Sequence, residues 1–288
     1  MNKTKLKVVL AATLILASIS IFDNKRLTTT YYHINNEKIP SEFNDFKILQ
    51  ISDFHNTDFP EFIYKTKDTS NKSLYNPKLI DYINSENPDI IVITGDTVDS
   101  RTPNEDIATD LISNIVDKYP VYYVSGNHEE RSGNAKYYRG KFKEMGVITL
   151  ANQSVELIKS TSVITISGVN DYVSFRNYLE YNHTLSNLKS DNFNILLSHR
   201  PEHFEIYAEI GYDLIFSGHA HGGQIRLPFI GGILAPDQGF FPEYDAGFAV
   251  KDDSTIIVSR GLGNSAFPLR INNPPEIVVI TLNPSKIK

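Results

Sequence analysis

Cysteine is absent from the 288 residues of the sequence, and basic residues are in the minority. Without cysteine the protein has no disulfide bonds, no thiolate metal ligands and no cysteine nucleophile, a composition that fits an exported protein. The 34 acidic residues outnumber the 28 lysines and arginines, and the formal net charge is −6. Nucleic acid is therefore not expected as a partner, because phosphate chains favour surfaces rich in lysine and arginine.

Linkers and repeats are absent as well. No internal repeat and no stretch rich in proline, glycine and serine divides the chain. A chain of this length can bury a sizeable core, and we predict one domain over residues 40–284. The segment Gln224–Asp245 is rich in glycine, proline and aromatic residues, and it is longer than a simple turn. Its aromatic residues would either shape a lipid or sugar pocket or pack against the core.

A long apolar run lies at the N-terminus, where Val8–Phe22 follows three lysines. A basic start before an apolar run predicts a secretory signal or a membrane anchor over residues 1–26. As a helix the run would span about 22 Å, against roughly 30 Å for a hydrocarbon core. A buried helix of the fold is the alternative. The lysines favour a cytoplasmic N-terminus, which predicts a membrane-anchored or exported protein whose folded part is extracytoplasmic.

Beyond residue 40, short apolar runs alternate with amphipathic stretches. Near-continuous β-branched runs predict strands that are covered on both faces, and apolar residues at helical spacing predict helices. Strands are predicted at Phe46–Ser52, Asp89–Gly95, Val121–Gly126, Val147–Leu150, Val155–Ile158, Val163–Gly168, Ile195–Ser198, Leu214–Ser217, Thr255–Ser259 and Ile277–Leu282, and helices at Asn76–Glu86, Pro103–Lys118, Ala135–Met145, Phe175–Leu188 and Pro201–Glu209. The alternation predicts an α/β domain with mixed sheets.

Residues that bind metals recur directly after five of these strands. Five of the eight histidines, two aspartates and one asparagine stand there. They are Asp53 and His55, Asp96, Asn127 and His128, His199, and His219 and His221. The carboxyl ends of strands in an open α/β sheet border one crevice, where ligands bind. Several of these ends also carry glycine, which lets the backbone approach a site closely.

The composition of this set predicts a dinuclear metal centre. Nitrogen and oxygen ligands without thiolate suit Zn²⁺, Mn²⁺, Fe or Ni²⁺, and seven ligands suit two ions that share a bridging carboxylate. Two ions about 3.5–4 Å apart can clamp a phosphoryl group and activate a bridging water. Each block also has an ordinary explanation, since Gly-Asp after a strand is often a turn and a lone His199 is often a core residue. Their recurrence at five strand ends favours the metal centre.

The five blocks DFH, GDTVD, GNHE, SH and GHAH resemble, in this order, the pattern of the calcineurin-like metallophosphoesterases. The tail segments GHAHGGQIRLP and VSRGLGNSAFPLR are similar to the bacterial YkuE/YaeI-like phosphohydrolase branch of that family. The resemblance covers about residues 40–284 and implies an α/β sandwich of two mixed β-sheets flanked by helices, in four layers (αββα). Phe54 and Glu129 replace the more usual Leu and Asp of the family, and neither is expected to touch the chemistry.

The resemblance also implies a role for each residue of the set. The metal ligands would be Asp53, His55 and His221 for one ion and Asn127, His199 and His219 for the other, with Asp96 bridging both. The cofactors would be two divalent ions, Mn, Zn, Fe or Ni. His128 would be catalytic, close to the scissile phosphate, where it stabilises charge or protonates the leaving oxygen.

A few other polar residues have less distinctive contexts. Asp99 would orient a metal ligand or begin a helix, and Asp171 is a further candidate for the same crevice. Arg200, Arg260 and Arg270 could bind a substrate phosphate, although a solvated surface arginine is the simpler interpretation of each.

Taken together, these features predict a dinuclear metal-dependent phosphoesterase. It would hydrolyse a phosphate ester, phosphodiester or pyrophosphate bond by attack of a metal-bridging hydroxide, on a membrane-proximal lipid- or sugar-linked substrate. The alternative substrates are nucleotides or small phosphodiesters. A non-catalytic metal-binding scaffold is a third hypothesis, disfavoured because every ligand position is filled. The expected partners are the phosphate-ester substrate and, through the N-terminal segment, the membrane; no feature specifies an oligomeric state.

Overall fold

Neighbouring residues of the central strands pack into different hydrophobic cores, as expected for strands covered on both faces. Ile48 packs between the two sheets, whereas Leu49 packs under helices. In the same way, Leu197 faces the other sheet and Leu196 faces the helices on the far side. The computed structural model describes residues 3–59, 75–264 and 269–285. These residues form a four-layer sandwich, helices–sheet–sheet–helices, and the predicted fold class is confirmed.

The first sheet has six strands in the order β1-β16-β2-β3-β4-β5. Their bounds are β1 Thr28–Asn36, β2 Phe46–Ile51, β3 Ile90–Thr94, β4 Val121–Val124, β5 Ile148–Thr149 and β16 Glu276–Pro284. Strands β2 to β5 are parallel to one another, and β16 is antiparallel to β2.

The second sheet has the order β14-β15-β9-β8-β7-β6. Its strands are β6 Gln153–Lys159, β7 Ser162–Gly168, β8 Phe193–Leu197, β9 Leu214–Ser217, β14 Gly247–Lys251 and β15 Ser254–Val258. Strands β7, β8, β9 and β15 are parallel, and the two outer strands are antiparallel to their neighbours. Two small hairpins lie between β9 and β14 in sequence: β10 Arg226–Leu227 with β11 Gly231–Gly232, and β12 Leu234–Ala235 with β13 Gly239–Phe240.

Helices cover the outer face of each sheet. The helices of the described residues are α1 Lys3–Lys25, α2 Pro77–Glu86, α3 Glu105–Ile115, α4 Asn127–Arg131, α5 Ala135–Glu144, α6 Tyr178–Leu188 and α7 Phe204–Ile210. Helices α2, α3 and α5 pack on the first sheet, and α6 and α7 pack on the second. All ten predicted strands and all five predicted helices have a counterpart among these elements.

The N-terminal part differs from its prediction. Strand β1 pairs in parallel with β16 along its whole length, so the sheet begins at Thr28 rather than near residue 40. The segment predicted as a signal or anchor is helix α1. Leu6, Leu14 and Phe22 of this helix are exposed, so the alternative of a buried helix is not observed for the residues whose burial is described. In the part of the chain that the structure describes, no helix combines the length and the apolar character needed to cross a membrane.

Candidate metal centre

The predicted metal ligands meet at one edge of the sandwich, where parallel strands from both sheets end. Asp53, Asp96 and Asn127 follow β2, β3 and β4, while His199 and His219 follow β8 and β9. All seven predicted ligands are nine-tenths or more buried. Two polar clusters here consist only of predicted ligands, whose ligand atoms lie within 4.8 Å of one another: Asp53 with His55 and His221, and Asp96 with His199 and His219. Two further clusters join His55 to Asp99 and His128, and His219 to Glu202 and Asp237.

Asp96 stands between the two clusters. Its Oδ2 lies 3.2 Å from Nε2 of His199 in one cluster and 3.6 Å from Nε2 of His55 in the other. Asp96 is therefore close enough to both clusters to interact with residues of each. In the first cluster, Asp53 Oδ1 lies 3.5 Å from Nε2 of His221.

Several buried atoms of these clusters form no hydrogen bond to any described residue. They are Oδ1 of Asn127, Nε2 of His199, Nδ1 of His221 and both ring nitrogens of His55. A buried polar atom without a partner costs about 1–3 kcal/mol, so several in one place indicate a missing ligand. Amide oxygen, imidazole nitrogen and carboxylate are ligands of divalent transition metals. The residues present therefore fit a pair of such ions.

The backbone of the ligands is itself unusual. Asp53, His55, Asp96, His219 and His221 all have left-handed conformations, with φ between +46° and +66°. Such conformations cost an L-residue about 1–3 kcal/mol each and cluster at functional sites, where the surrounding structure imposes them. These left-handed residues lie at the same strand ends as the buried atoms without hydrogen bonds. Both observations therefore indicate a functional site there.

Glycine is required where other strand ends approach this centre. A Cβ at Gly126 would overlap the carboxylate of Asp96, and one at Gly218 would overlap Ser52 and the carboxylate of Asp53. The close approach predicted for these glycines is thus present. Any larger residue at either position would displace an aspartate of the centre.

The electrostatics of the clusters favour bound positive charge. Burial raises the pKa of Asp96, but the neighbouring His199 outweighs it and holds the pKa well below its usual range. Burial likewise lowers the pKa of His199, yet the negative charge of the adjacent Asp96 raises it to about 10. A field that holds a proton this strongly on His199 also attracts a cation, which would replace that proton.

His128 lies beside the clusters at the mouth of the site. Its backbone N–H donates to Oδ1 of Asp96 at 2.8 Å, and its ring Nδ1 accepts from the backbone N–H of Ser100 at 3.1 Å. Burial lowers the pKa of His128. Because Nδ1 accepts, the neutral ring carries its proton on Nε2, which lies 4.0 Å from Oδ2 of Asp96. This N–H can donate to a phosphate oxygen.

Asp99 lies beside two histidines and does not begin a helix, since α3 starts at Glu105. Its Oδ2 lies 3.5 Å from Nδ1 of His55, and its Oδ1 lies 3.7 Å from Nδ1 of His128. Of the two alternatives for this residue, the structure favours the one in which Asp99 positions neighbouring side chains.

Asp171 does not line the clusters directly but reaches them through Arg200. The guanidinium of Arg200 donates to both oxygens of Asp171, at 2.6 and 3.0 Å, and its Nη1 lies 3.1 Å from Nε2 of His219. The same His219 nitrogen lies 2.9 Å from Oδ2 of Asp237, a residue of the long loop that sequence reasoning missed. Its only signal was the unusual composition of the loop Gln224–Asp245.

The expectation of solvated surface arginines was wrong. Arg200 and Arg270 are buried, and Arg270 donates to the backbone carbonyls of Arg260, Gly261 and Gly263. Arg260 pairs with Glu276 at 2.6 Å. All three arginines are therefore engaged in contacts within the fold.

A pocket of about 270 Å³ opens onto the clusters. Its walls are Asp96, Ser100, Arg101, Asn127, His128, Arg131, His219, His221 and Pro236. Four predicted metal ligands and the predicted catalytic histidine thus share one pocket with two arginines, Arg101 and Arg131, that sequence reasoning missed. Each arginine lies close in sequence to a recognised block, but neither is part of its pattern.

Comparison with known proteins identifies the family of this chain. The solved structure of TT1561 from Thermus thermophilus superposes with a TM-score of 0.49 and 11% identity, over 76% of this chain and 91% of that chain. Phosphodiesterase YaeI of Escherichia coli K12 is 28% identical over 200 residues, covering 68% of this chain and 71% of YaeI. The uncharacterized metallophosphoesterase YkuE of Bacillus subtilis 168 is 32% identical over 260 residues, covering 89% of this chain and 85% of YkuE. Residues 46–223 match the family model of the calcineurin-like phosphoesterases. From the last two matches, the chain belongs to the calcineurin-like phosphoesterase family and is a metal-dependent phosphohydrolase.

Proposed function

We propose that the pocket hydrolyses a phosphate ester, phosphodiester or pyrophosphate bond with two divalent ions, Mn, Zn, Fe or Ni. One ion would be held by Asp53, His55 and His221. The other ion would be held by Asn127, His199 and His219, and Asp96 would contact both ions. The observation that carries the proposal is the group of buried ligand atoms without hydrogen bonds, arranged in two clusters, with Asp96 of one cluster 3.6 Å from His55 of the other. When bound, the ions supply Lewis acidity, which activates water and neutralises charge on the phosphoryl group.

The chain's own residues do the remaining work. His128 presents its Nε2–H to the pocket, where it donates to a phosphate oxygen or delivers a proton to the leaving oxygen. Ser100 fixes the ring by donating to Nδ1 at 3.1 Å. Asp99 stabilises the charged ring whenever His128 is protonated, since its Oδ1 lies 3.7 Å from Nδ1.

The substrate we propose is lipid- or sugar-linked and lies close to a membrane. Support comes from the loop Gln224–Asp245, whose Pro236 lines the pocket. The same loop exposes Phe229, Phe240 and Phe241 to solvent. Clusters of exposed apolar side chains mark surfaces that contact lipids or other partners, so this loop would receive the apolar part of a substrate.

We further propose that the catalytic domain is extracytoplasmic, in a membrane-anchored or exported protein. The support is helix α1, which exposes apolar residues such as Leu14 and Phe22 and begins with lysines. Side chains of this kind suit contact with a membrane surface.

A small phosphodiester is the second candidate substrate, and the modest pocket volume of about 270 Å³ favours it. Comparing a short-chain with a long-chain lipid phosphodiester would separate the two candidates. A kcat/KM that rises with acyl chain length supports the lipid-linked substrate, and one that is independent of chain length supports the small diester.

The test of the proposed function is metal-dependent turnover by the full-length protein. The purified protein is treated with chelator, reloaded with Mn²⁺, Zn²⁺, Fe²⁺ or Ni²⁺, and assayed with p-nitrophenyl phosphate and bis-p-nitrophenyl phosphate. We expect turnover only after reloading, its loss in Asp96→Ala, and its retention in the matched control Asp253→Ala, which alters an exposed aspartate. A folded protein that binds two ions and hydrolyses none of these esters, no lipid diester and no pyrophosphate diester would instead be the metal-binding scaffold.

A further inference from the structure

Besides the two clusters of predicted metal ligands, the pocket has two positively charged side chains. Arg101 and Arg131 are the two arginines that line it, together with Ser100 and His128. Ser100, which donates to the His128 ring, is the residue immediately before Arg101. Arg131 lies three residues after His128 on helix α4, so the two side chains leave nearly the same face of the helix.

The guanidinium of Arg101 is held in place by Asp99. Its Nε donates to Oδ1 at 3.1 Å and its Nη2 to Oδ2 at 2.6 Å. A guanidinium has five N–H donors, so this bidentate pair leaves both Nη1 donors available. The side chain is 43% exposed, and a ligand in the pocket can therefore reach those donors.

Arg131 is available for a different reason. Over the described ranges 3–59, 75–264 and 269–285, its guanidinium has neither a carboxylate partner nor a hydrogen bond. Arg200, Arg260 and Arg270, by contrast, are occupied by carboxylates or backbone carbonyls. An exposed, unpaired arginine beside a catalytic pocket is suited to bind an anion, because its planar fork matches two phosphate oxygens at once.

We infer that Arg101 and Arg131 bind a phosphate carried by the leaving group, so that the favoured substrate is a pyrophosphate diester. This inference rests on the proposed function and names the substrate class of that site. If His128 delivers the proton to the leaving oxygen, the leaving group departs near His128, and both arginines are attached close to it: Arg131 on the same helix, and Arg101 next to Ser100. Since they share one small pocket with the clusters, the second anion has to be attached directly to the reacting phosphoryl group.

Hydrolysis of a pyrophosphate diester produces negative charge on the departing phosphate, which Arg101 and Arg131 can neutralise. In its hydrolysis, the oxygen of water forms a new P–O bond and the P–O–P bridge breaks. The bridging oxygen leaves with the bonding electron pair as part of a phosphate monoester, and the protons of water pass to the products or to solvent. The departing phosphate gains negative charge, which the arginines neutralise.

The experiment compares two substrates on the full-length, metal-reloaded protein. One is the symmetrical diphenyl ester of pyrophosphate, whose leaving group is phenyl phosphate, and the other is bis-p-nitrophenyl phosphate, whose leaving group carries no second anion. The measured quantity is the ratio of the two kcat/KM values. We expect Arg131→Gln to lower this ratio about tenfold or more, as for the loss of a charge-assisted hydrogen bond.

Further variants make the test specific. Arg131→Lys keeps the positive charge but not the planar guanidinium, which can donate to two phosphate oxygens at once. It therefore lowers the ratio of kcat/KM values less than Arg131→Gln does. Arg101→Lys, which removes the bidentate pair with Asp99, lowers it as well. Arg176→Gln is the control. Arg176 is exposed and pairs with Glu180 of helix α6, and its replacement will leave the ratio at the wild-type value. Because Arg131 is exposed, thermal unfolding of its variants will match that of the wild type.

The outcomes separate this inference from the proposed function. If the wild type hydrolyses the diester but not the pyrophosphate, or if the ratio is unchanged in the Arg101 and Arg131 variants, the arginine subsite is wrong while the hydrolase stands. If the wild type shows no metal-dependent turnover of either substrate, the proposed function itself fails.

Discussion

The side chain of Glu129 accepts a hydrogen bond from the backbone N–H of Asp96, with 3.0 Å between Oε2 and the nitrogen. The same carboxylate also accepts from Gly126 at 2.8 Å and from Val98 at 2.9 Å. Glu129 belongs to α4, which follows β4, whereas Asp96 follows β3. One buried carboxylate therefore ties together the ends of two neighbouring strands. Glu129 thus acts indirectly: it sets the position of Asp96, which belongs to one cluster and lies close to the other.

Replacing Glu129 by glutamine tests this role. Glutamine offers one acceptor oxygen for three backbone donors, so the Asp96 turn loosens and metal affinity falls by about 10–100-fold, the usual effect of losing a residue that orients a ligand. Alanine leaves all three donors unpaired and lowers the free energy of unfolding by about 3 kcal/mol or more. Metal titration and thermal unfolding measure the two effects. Glu144→Gln, at an exposed position, is the control, and equal metal affinity in both glutamine variants would contradict the role.

The charged form of Glu129 is costly in this position. Burial raises the pKa of its carboxyl, and the charge of Asp96 adds to the effect, so that the pKa is about 7. Bound cations at Asp96 would remove much of the repulsion between the two carboxylates. Metal binding and the ionisation of Glu129 are thus expected to support each other.

The role of His128 is tested by comparing how much activity His128→Ala loses on substrates with different leaving groups. Its Nε2–H faces the pocket, and proton transfer by a positioned side chain contributes about 10²–10⁴-fold to a rate. We expect His128→Ala to lose that factor on phenyl phosphate esters, whose leaving group needs a proton. The loss on p-nitrophenyl esters will be much smaller, because p-nitrophenolate leaves unaided. Equal losses on both classes would leave His128 a role in charge stabilisation alone.

Gly126→Ala tests how closely the strand ends must approach. A Cβ at this position overlaps the carboxylate of Asp96 and lies 2.8 Å from its Cγ, so Asp96 has to move and the site loses metal affinity and activity. Gly140→Ala is the matched control. Gly140 lies in α5 with nothing within 4 Å of the added Cβ, and alanine there will stabilise the protein by about 0.5–1 kcal/mol. A Gly126→Ala protein with normal metal content would show that the Asp96 turn adjusts freely.

The elements predicted correctly are those whose sequence pattern is local. Strand β3 is a run of five buried residues, four of them apolar and β-branched. The predicted metal ligands follow such runs directly, so the strand ends could be recognised without knowing the fold. Strand β1 was missed because it is an edge strand of mostly half-exposed residues, whose partner β16 lies about 250 residues further along the chain.

The residues around the ligands were missed for a similar reason. Glu129, Asp237 and Arg131 act through contacts or a pocket that form only when distant segments fold together. Asp237, for example, reaches His219 from a loop whose two-residue strands carry no periodic pattern. The identities of these residues alone do not distinguish them from ordinary surface charges.

Asp237 provides a test that separates the two ions. Its Oδ2 lies 2.9 Å from Nε2 of His219. When the ring carries its proton on Nε2, Asp237 accepts the hydrogen bond, and Nδ1 is the nitrogen that would bind the ion held with Asp96 and His199. A carboxylate partner of this kind fixes the tautomer and orientation of a ligating histidine, and its loss weakens metal binding by about 10–100-fold. We therefore expect Asp237→Ala to weaken one ion selectively and to leave the ion at Asp53, His55 and His221 bound.

Two further variants decide whether the hydrogen bond itself is responsible. Asp237→Asn keeps an acceptor oxygen at the same place, so it will restore most of the affinity that Asp237→Ala loses, whereas Asp253→Ala, at an exposed turn, will have no effect. Stepwise titration of the metal-free protein with Mn²⁺ or Zn²⁺ resolves the two binding events. If Asp237→Ala weakened both ions equally, the loop would act on the whole site, through a change in its shape, rather than on His219. If only the second event weakened and asparagine rescued it, the long loop would control occupancy of one ion through a single hydrogen bond.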